Sequence, residues 1–237
     1  MKYLKFKAAA GKRKRIPIFL LLAAAAFCAV IHVQASQKVQ LPVPYISQEG
    51  TYATGCELVS AAMVLNYYQC NVTVEQVVKA TPRADLLRTK NGLMGEHPSK
   101  YFIGDPTSPE GFGCYAPAAA GVMNSFLGRA GHKTAVPLAG EKFEKLLPYI
   151  NRGDPVLVWA TIDMQPSFPG KSWKLNRTGE TFQWIAREHC LVLVGYDRDG
   201  YYFNDPYHSN GLKRYEKWLV EQRYGELGSQ AVVVQGN

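Results

Sequence analysis

Residues 16–35 (IPIFLLLAAAAFCAVIHVQA) contain no Asp, Glu, Lys or Arg, and they follow directly on seven basic residues: Lys2, Lys5, Lys7, Lys12, Arg13, Lys14 and Arg15. A basic start, an apolar middle and the small-x-small exit Val33-Gln34-Ala35 are the marks of a secretory signal. An apolar stretch near the ~20 residues that span a bilayer also suits an uncleaved anchor, whose basic flank would stay in the cytoplasm. Both readings place residues 36–237 outside the cytoplasm, either secreted or held at the outer face of the membrane through residues 16–35. Cys28 is a passenger here, because the bulky Phe27 before it does not suit a lipid-modified cysteine.

This segment also accounts for the charge. The chain carries +8, but from Ser36 onward 20 basic residues face 19 acidic ones. A nearly neutral body gives no basic patch, so nucleic acid is not an expected partner. The chain is 47% hydrophobic and 19% charged, which is a globular composition, and it is long enough to bury a core without metal or disulfide staples. We therefore expect one domain over residues 36–237. Export permits disulfides, but Cys56, Cys70, Cys114 and Cys190 are too few for a disulfide scaffold.

Pro42 and Pro44 keep residues 36–46 extended. Leu58, Val59, Ala62, Met63 and Leu65 recur at helical spacing over residues 56–68. Further helices are expected at 74–80, 117–128 followed by a turn at Gly131, 141–151 and 215–222. Residues 82–108 read as loop, and 161–184 as a long hairpin or loop. Strands are expected at 155–160, 190–196, 201–204 and 231–235, with a hairpin turn at Asp197-Arg198-Asp199-Gly200. Helices followed by an antiparallel sheet define an α+β class. Two stretches, GCELVSAAMVLN from Gly55 and GCYAPAAAGVMN from Gly113, share a Gly-Cys start and a final Asn. They are too short to count as a repeat.

Cys56 opens its helix, where unpaired N–H groups and the helix dipole favour a thiolate. A base is needed beside it, and His189 stands at the entry of an apolar strand, 133 residues downstream. The hairpin sets residue 190 roughly opposite residue 207, so Asp205 can orient the imidazole and fix its tautomer, with Asn204 as the substitute. Gln48, on the loop leading to the helix, can offer its amide as an oxyanion donor beside the Cys56 N–H.

QEGTYATGCELVSAAMVLNYY, GFGCYAP, PVLVWAT, REHCLVLVGYD and YYFNDP together resemble the papain-like cysteine peptidases related to the peptidase domains of bacteriocin-processing ABC transporters. More narrowly, they resemble the stand-alone exported bacterial relatives. The resemblance spans about residues 41–234. It implies a papain-like fold with N-terminal helices packed on a C-terminal antiparallel sheet. It also implies Cys56 as nucleophile, His189 as base, Asp205 as orienting acid and Gln48 as oxyanion donor. Cys70 departs from the pattern, standing where such sequences carry Gly after the paired tyrosines. That Gly would suit a left-handed helix cap.

Other readings weigh against each of these residues. A lone cysteine on an apolar helix is more often core than nucleophile. Cys114 is the rival nucleophile. Its plainer role is packing or a disulfide with Cys70 or Cys190, and Cys190 is expected to face the core. A metal site built from Cys56, Cys114, His189 and His208 lacks any standard ligand spacing, so neither metal nor cofactor is expected. His97 and His132 read as solvated loop residues, Tyr67 and Tyr68 as core and rim, and Asp105-Pro106 as a turn. The expected activity is thiol hydrolysis of a peptide or protein substrate, with cleft walls from residues 82–108 and 161–184. Phe168, Trp173, Phe182 and Trp184 are candidates to hold a chain-like substrate. The alternatives are a non-catalytic module binding peptide or cell-wall material on the same fold, and an acyl transferase or amidase acting on peptidoglycan peptides.

Overall fold

The computed structural model describes residues 38–130, 133–207 and 211–236. The basic and apolar N-terminal segment with Cys28, the turn at Gly131, His132 and His208 lie outside the described residues. Among the described residues no helix is long and apolar enough to cross a membrane.

Strand β1 (Val39–Gln40) precedes helix α1 (Cys56–Tyr67). Every residue of α1 from Cys56 to Leu65 is buried. A helix apolar on all sides belongs in a core rather than on a surface, and Ser60, Ala61 and Ala62 keep this one thin enough for close packing. Its end explains Cys70. The left-handed backbone falls on Gln69 (φ 61°) and Asn71 (φ 52°), on either side of it, so no glycine is required at 70. Helix α2 (Val74–Ala80) begins in a reciprocal cap, Thr73 bonding the Gln76 N–H and the Gln76 side chain bonding back.

Residues 82–108, expected as loop, contain four short strands: β2 (Arg83–Ala84), β3 (Leu87–Thr89), β4 (Gly92–Gly95) and β5 (Phe102–Ile103). Strands of two to four residues interrupted by Gly and Pro leave no alternation to read. Helix α3 (Ala116–Ala130) carries Pro117 in its first turn. Strand β6 (Lys133–Leu138) was not expected. It is an edge strand, where Pro137 costs no ladder bond. The helix expected over 141–151 divides into a 3₁₀ turn (Phe143–Leu146) and α4 (Leu147–Asn151), where Pro148 cannot donate to the preceding turn.

Strands β7 (Val156–Thr161), β8 (Phe168–Leu175), β9 (Thr181–Ala186), β10 (Glu188–Tyr196), β11 (Gly200–Asn204) and β12 (Leu212–Glu216) follow, then α5 (Lys217–Glu226) and β13 (Ala231–Gly236). Tyr215 belongs to β12, so the last helix starts two residues later than its pattern suggested.

The main sheet is antiparallel, in the order β12-β11-β10-β7-β13-β6, with β1 added on β10. Both faces are covered. Leu157, Trp159, Cys190, Val192 and Val194 face a core shared with α1 and α3. Val156, Val158, Leu191 and Leu193 face a second core with Phe143, Val220 and Tyr224. This double burial is why β7 and β10 read as continuous apolar runs instead of alternating ones. The 161–184 hairpin is present as β8–β9, and it joins β4 and β3 in a separate four-stranded sheet.

Because Leu58 is fully buried in α1, Leu58→Ala should destabilise the 237-residue chain by about 2–5 kcal/mol in urea unfolding. A loss below about 1 kcal/mol would contradict the central placement of this helix.

Candidate active site

The approach to α1 leaves little room beside Gly55. A Cβ on Gly55 would lie 3.0 Å from Tyr52 Cβ and 3.3 Å from Pro106 Cβ. Cys56 then starts the helix, 5% exposed. Ser60, one turn on, donates to the Cys190 carbonyl at 3.0 Å and fixes the helix against β10 beside His189.

His189 is the second residue of β10, and its Nε2 lies 2.7 Å from Asp205 Oδ1. Both side chains are buried. The hairpin delivers this pair through the register Val192↔Asn204, one residue from the expected register. Asp205 Oδ1 also accepts from the Tyr207 N–H at 3.0 Å. Asn204 is not the substitute acceptor, because its amide donates to the Val43 carbonyl at 3.0 Å. Cys190 faces the core as expected.

Gln48 ties the two halves of the site together. Its backbone N–H donates to the Pro206 carbonyl at 2.8 Å. Its side-chain nitrogen donates to the carbonyls of Tyr52 at 3.1 Å and Ala53 at 3.4 Å, bracing the loop that leads to Cys56. That nitrogen is therefore committed to loop carbonyls, while Oε1 is buried with no partner. A cleft of about 510 Å³ opens here, lined by Gln48, Glu49, Gly50, Thr51, Ala53, Thr107 and Tyr207. The Tyr207 ring centre is 6.0 Å from that of His189.

The environment of Cys56 differs from expectation. Its Sγ lies 3.4 Å from Glu57 Oε2, a thiol donating to a carboxylate. Burial first, then the carboxyls of Glu57 and Glu188, push the thiol well above its usual range. The helix terminus acts the other way, but it contributes only about 0.3–2 kcal/mol. Full desolvation can move the pKa of a buried group by about 3–5, which is several kcal/mol. Desolvation is the larger effect, so burial opposes the thiolate that the helix position alone favours.

Glu57 and Glu188 were overlooked as site residues, although each adjoins a candidate catalytic residue in sequence. A readable signal existed, since Glu57 is the one charged residue in the helix CELVSAAMVLNY. Burial raises the Glu57 carboxyl to about 7, against the backbone N–H of Cys114, which hydrogen-bonds it. The second Gly-Cys docks on the side chain that follows the first. Cys114 itself is fully buried, and its carbonyl accepts from Trp159 Nε1 at 2.9 Å, a packing role. All four cysteines from Cys56 onward are free. Among the described residues, the donors that gather are Cys56, Glu57 and Glu188, not the Cys56, Cys114 and His189 set.

The flanking segments are also redistributed. Of residues 82–108 only Thr107 lines the cleft beside Gln48, and no residue of 161–184 does. Those segments instead line a second cleft of about 500 Å³ that includes Asp85, Arg88, Asp105, Phe112 and Lys171. Trp173 and Trp184 are buried against Phe112, so they are core and not a substrate platform; Phe182 is half-buried, and only Phe168 is well exposed. His97 is half-buried, its ring edge-on to Tyr115 and Phe182. Tyr67 and Tyr68 are half-buried rim residues bonding Gly153 and Asp154. Asp105 forms a turn onto Thr107.

A helix-initial cysteine set against an antiparallel sheet that carries a His–Asp pair defines a papain-like α+β peptidase fold. The Peptidase_C39 like family model matches residues 40–232. The uncharacterised protein YvpB of Bacillus subtilis (strain 168) is 31% identical over 181 residues, 76% of this chain and 69% of YvpB. A Bacillus anthracis structure, assigned as a C39-like peptidase, superposes with a TM-score of 0.75 at 26% identity, covering 85% of this chain and 98% of that one. A double-glycine-motif protease from an AMS/PCAT transporter, in complex with its leader peptide, gives a TM-score of 0.47 at 17% identity over 85% of this chain and 99% of that one. The chain belongs to the C39-like peptidase family.

The raised Glu57 carboxyl has a consequence for stability. Its folded value of about 7 lies above the ordinary 4.5. The folded state therefore binds more protons than the unfolded state between those values, and stability falls as pH rises through that window. Glu57→Gln cannot titrate. Wild type should lose stability relative to Glu57→Gln between pH 5 and pH 8 in urea unfolding, and a difference independent of pH would contradict the burial of that charge.

Proposed function

We propose that this protein is an exported cysteine peptidase that cleaves peptide bonds through Cys56, His189 and Asp205. The observation that carries the reading is the buried pairing of His189 Nε2 with Asp205 Oδ1 at 2.7 Å, on the strand against which the Cys56 helix is pinned. Family membership supports the class of chemistry. The basic and apolar N-terminal run supports export.

In this mechanism Asp205 holds the Nε2 side of the ring, so Nδ1 is left to exchange a proton with the thiol. Cys56 leaves Glu57, gives its proton to His189 and attacks the substrate carbonyl. The oxyanion meets the backbone N–H of Cys56 at the helix start. Gln48 joins it once its amide swings away from the Tyr52 and Ala53 carbonyls. His189 then protonates the leaving amine, and water activated by the same imidazole releases the acyl group from the sulfur. The cleft beside Gln48 and Tyr207 receives the peptide.

One observation favours a non-catalytic binder: the free thiol bonds a carboxylate rather than an imidazole. A proteome-derived peptide library with mass analysis of products separates the readings. New free-acid termini indicate a hydrolase, new amides an acyl transferase, and neither a binder. Cys56→Ala and His189→Ala should abolish cleavage, and Asp205→Asn should lower its rate by about 10²–10⁴-fold. Cleavage that survives Cys56→Ala would overturn the assignment.

A further inference from the structure

Two buried glutamates meet beside Cys56. Glu57 is fully buried and Glu188 is 8% exposed. Oxygen atoms of both, with Cys56 Sγ, lie within 4.8 Å of one another. Gly113 shows how tightly they converge. A Cβ there would collide with Glu57 Oε1 and approach Glu188 Oε2 at 3.2 Å, and the backbone sits at φ +146°, where L side chains are strained. Glu188 Oε1 is buried and accepts no hydrogen bond. Glu57 accepts the Cys114 backbone N–H, and the titratable groups that feel the pair, among the described residues, are the thiols of Cys56 on α1, Cys190 on β10 and Cys114 on the adjoining segment, and the Tyr115 phenol. All are weak acids, and none supplies a positive charge.

Two carboxylates this close in a dry site cannot both ionise. A buried acceptor without a donor is costly as well. One proton between the two carboxyls answers both problems. It removes one charge, and placed on Glu188 Oε1 it turns that unpartnered acceptor into a donor toward Glu57. The remaining charge sits on the carboxyl that accepts the Cys56 thiol.

We propose that Glu57 and Glu188 share a single proton and act as a positioning pair that holds Cys56 as a neutral, resting thiol until it turns to His189. The inference rests on the peptidase reading for its purpose, though its chemistry can be measured without substrate. On activation the thiol proton passes from sulfur to His189 Nδ1 and the pair keeps its own proton, so no net charge is created or lost in the site. A thiol parked in this way is protected from oxidation outside the cytoplasm, and it becomes nucleophilic only when displaced from Glu57.

The test uses the 237-residue chain and its double variant Glu57→Gln/Glu188→Gln, which keeps the shape and removes the charge. Iodoacetamide alkylation of Cys56 is followed by mass spectrometry from pH 5 to pH 9. At neutral pH the double variant should react about tenfold faster or more, with its profile displaced to lower pH, because a thiol whose pKa falls by about one carries roughly ten times as much thiolate. Rates within twofold and an unchanged profile would overturn the proposal. Should the double variant not fold, infrared spectra of the wild-type chain decide. A protonated-carboxyl C=O band that persists at neutral pH supports the pair, and its absence refutes it. Repeating the alkylation in a His189→Ala background separates the two ideas. A gain that survives there supports the pair even if no peptide is ever cut, whereas peptide cleavage without any gain sinks the pair alone.

Discussion

The Glu57 carboxyl, buried at the start of a helix that is itself buried, is the interaction on which the rest of the site depends. It accepts the Cys56 thiol and the Cys114 backbone N–H, and it shares space with Glu188 from the central strand. One side chain thus joins the Cys56 helix, the second Gly-Cys segment and the strand that carries His189. Its position also dictates a glycine at 113, because no side chain fits between that backbone and the carboxyls.

Much of this was legible in the sequence. The apolar helix after Gly55-Cys56, the paired strands around the 197–200 turn and the His189–Asp205 partnership all follow from periodicity and turn chemistry. They are local signals that tertiary packing happens to reinforce. The short strands of the second sheet were not legible, because two to four residues carry no period. Strand β6 was hidden by Pro137, which is tolerated only because the strand lies at the sheet edge. The aromatic residues of β8 and β9 were misplaced for a related reason. Sequence shows that Trp173 and Trp184 are large and apolar, but not that Phe112 covers them from a distant segment.

The site shows the same division. Position in the chain indicated which residues belong together, but not their charge states, because burial is a property of the whole fold. A helix terminus favours a thiolate only while water reaches the sulfur. Once the sulfur is enclosed with two carboxyls, desolvation outweighs the dipole. The result is a site in two parts: a buried, oriented His189–Asp205 pair, and a buried Cys56 thiol on the Glu57 carboxyl. Gln48 bridges them, its backbone on Pro206 and its side chain on the loop before Cys56.

Whether Cys56 keeps its proton in the free protein at neutral pH is the most direct test of this account. The S–H stretching band and the ultraviolet thiolate absorbance, each taken as wild type minus Cys56→Ala, report it. A thiol held on Glu57 gives an S–H band from Cys56 and no thiolate signal. A thiolate signal at neutral pH that vanishes with His189→Ala would show a preformed ion pair and contradict it.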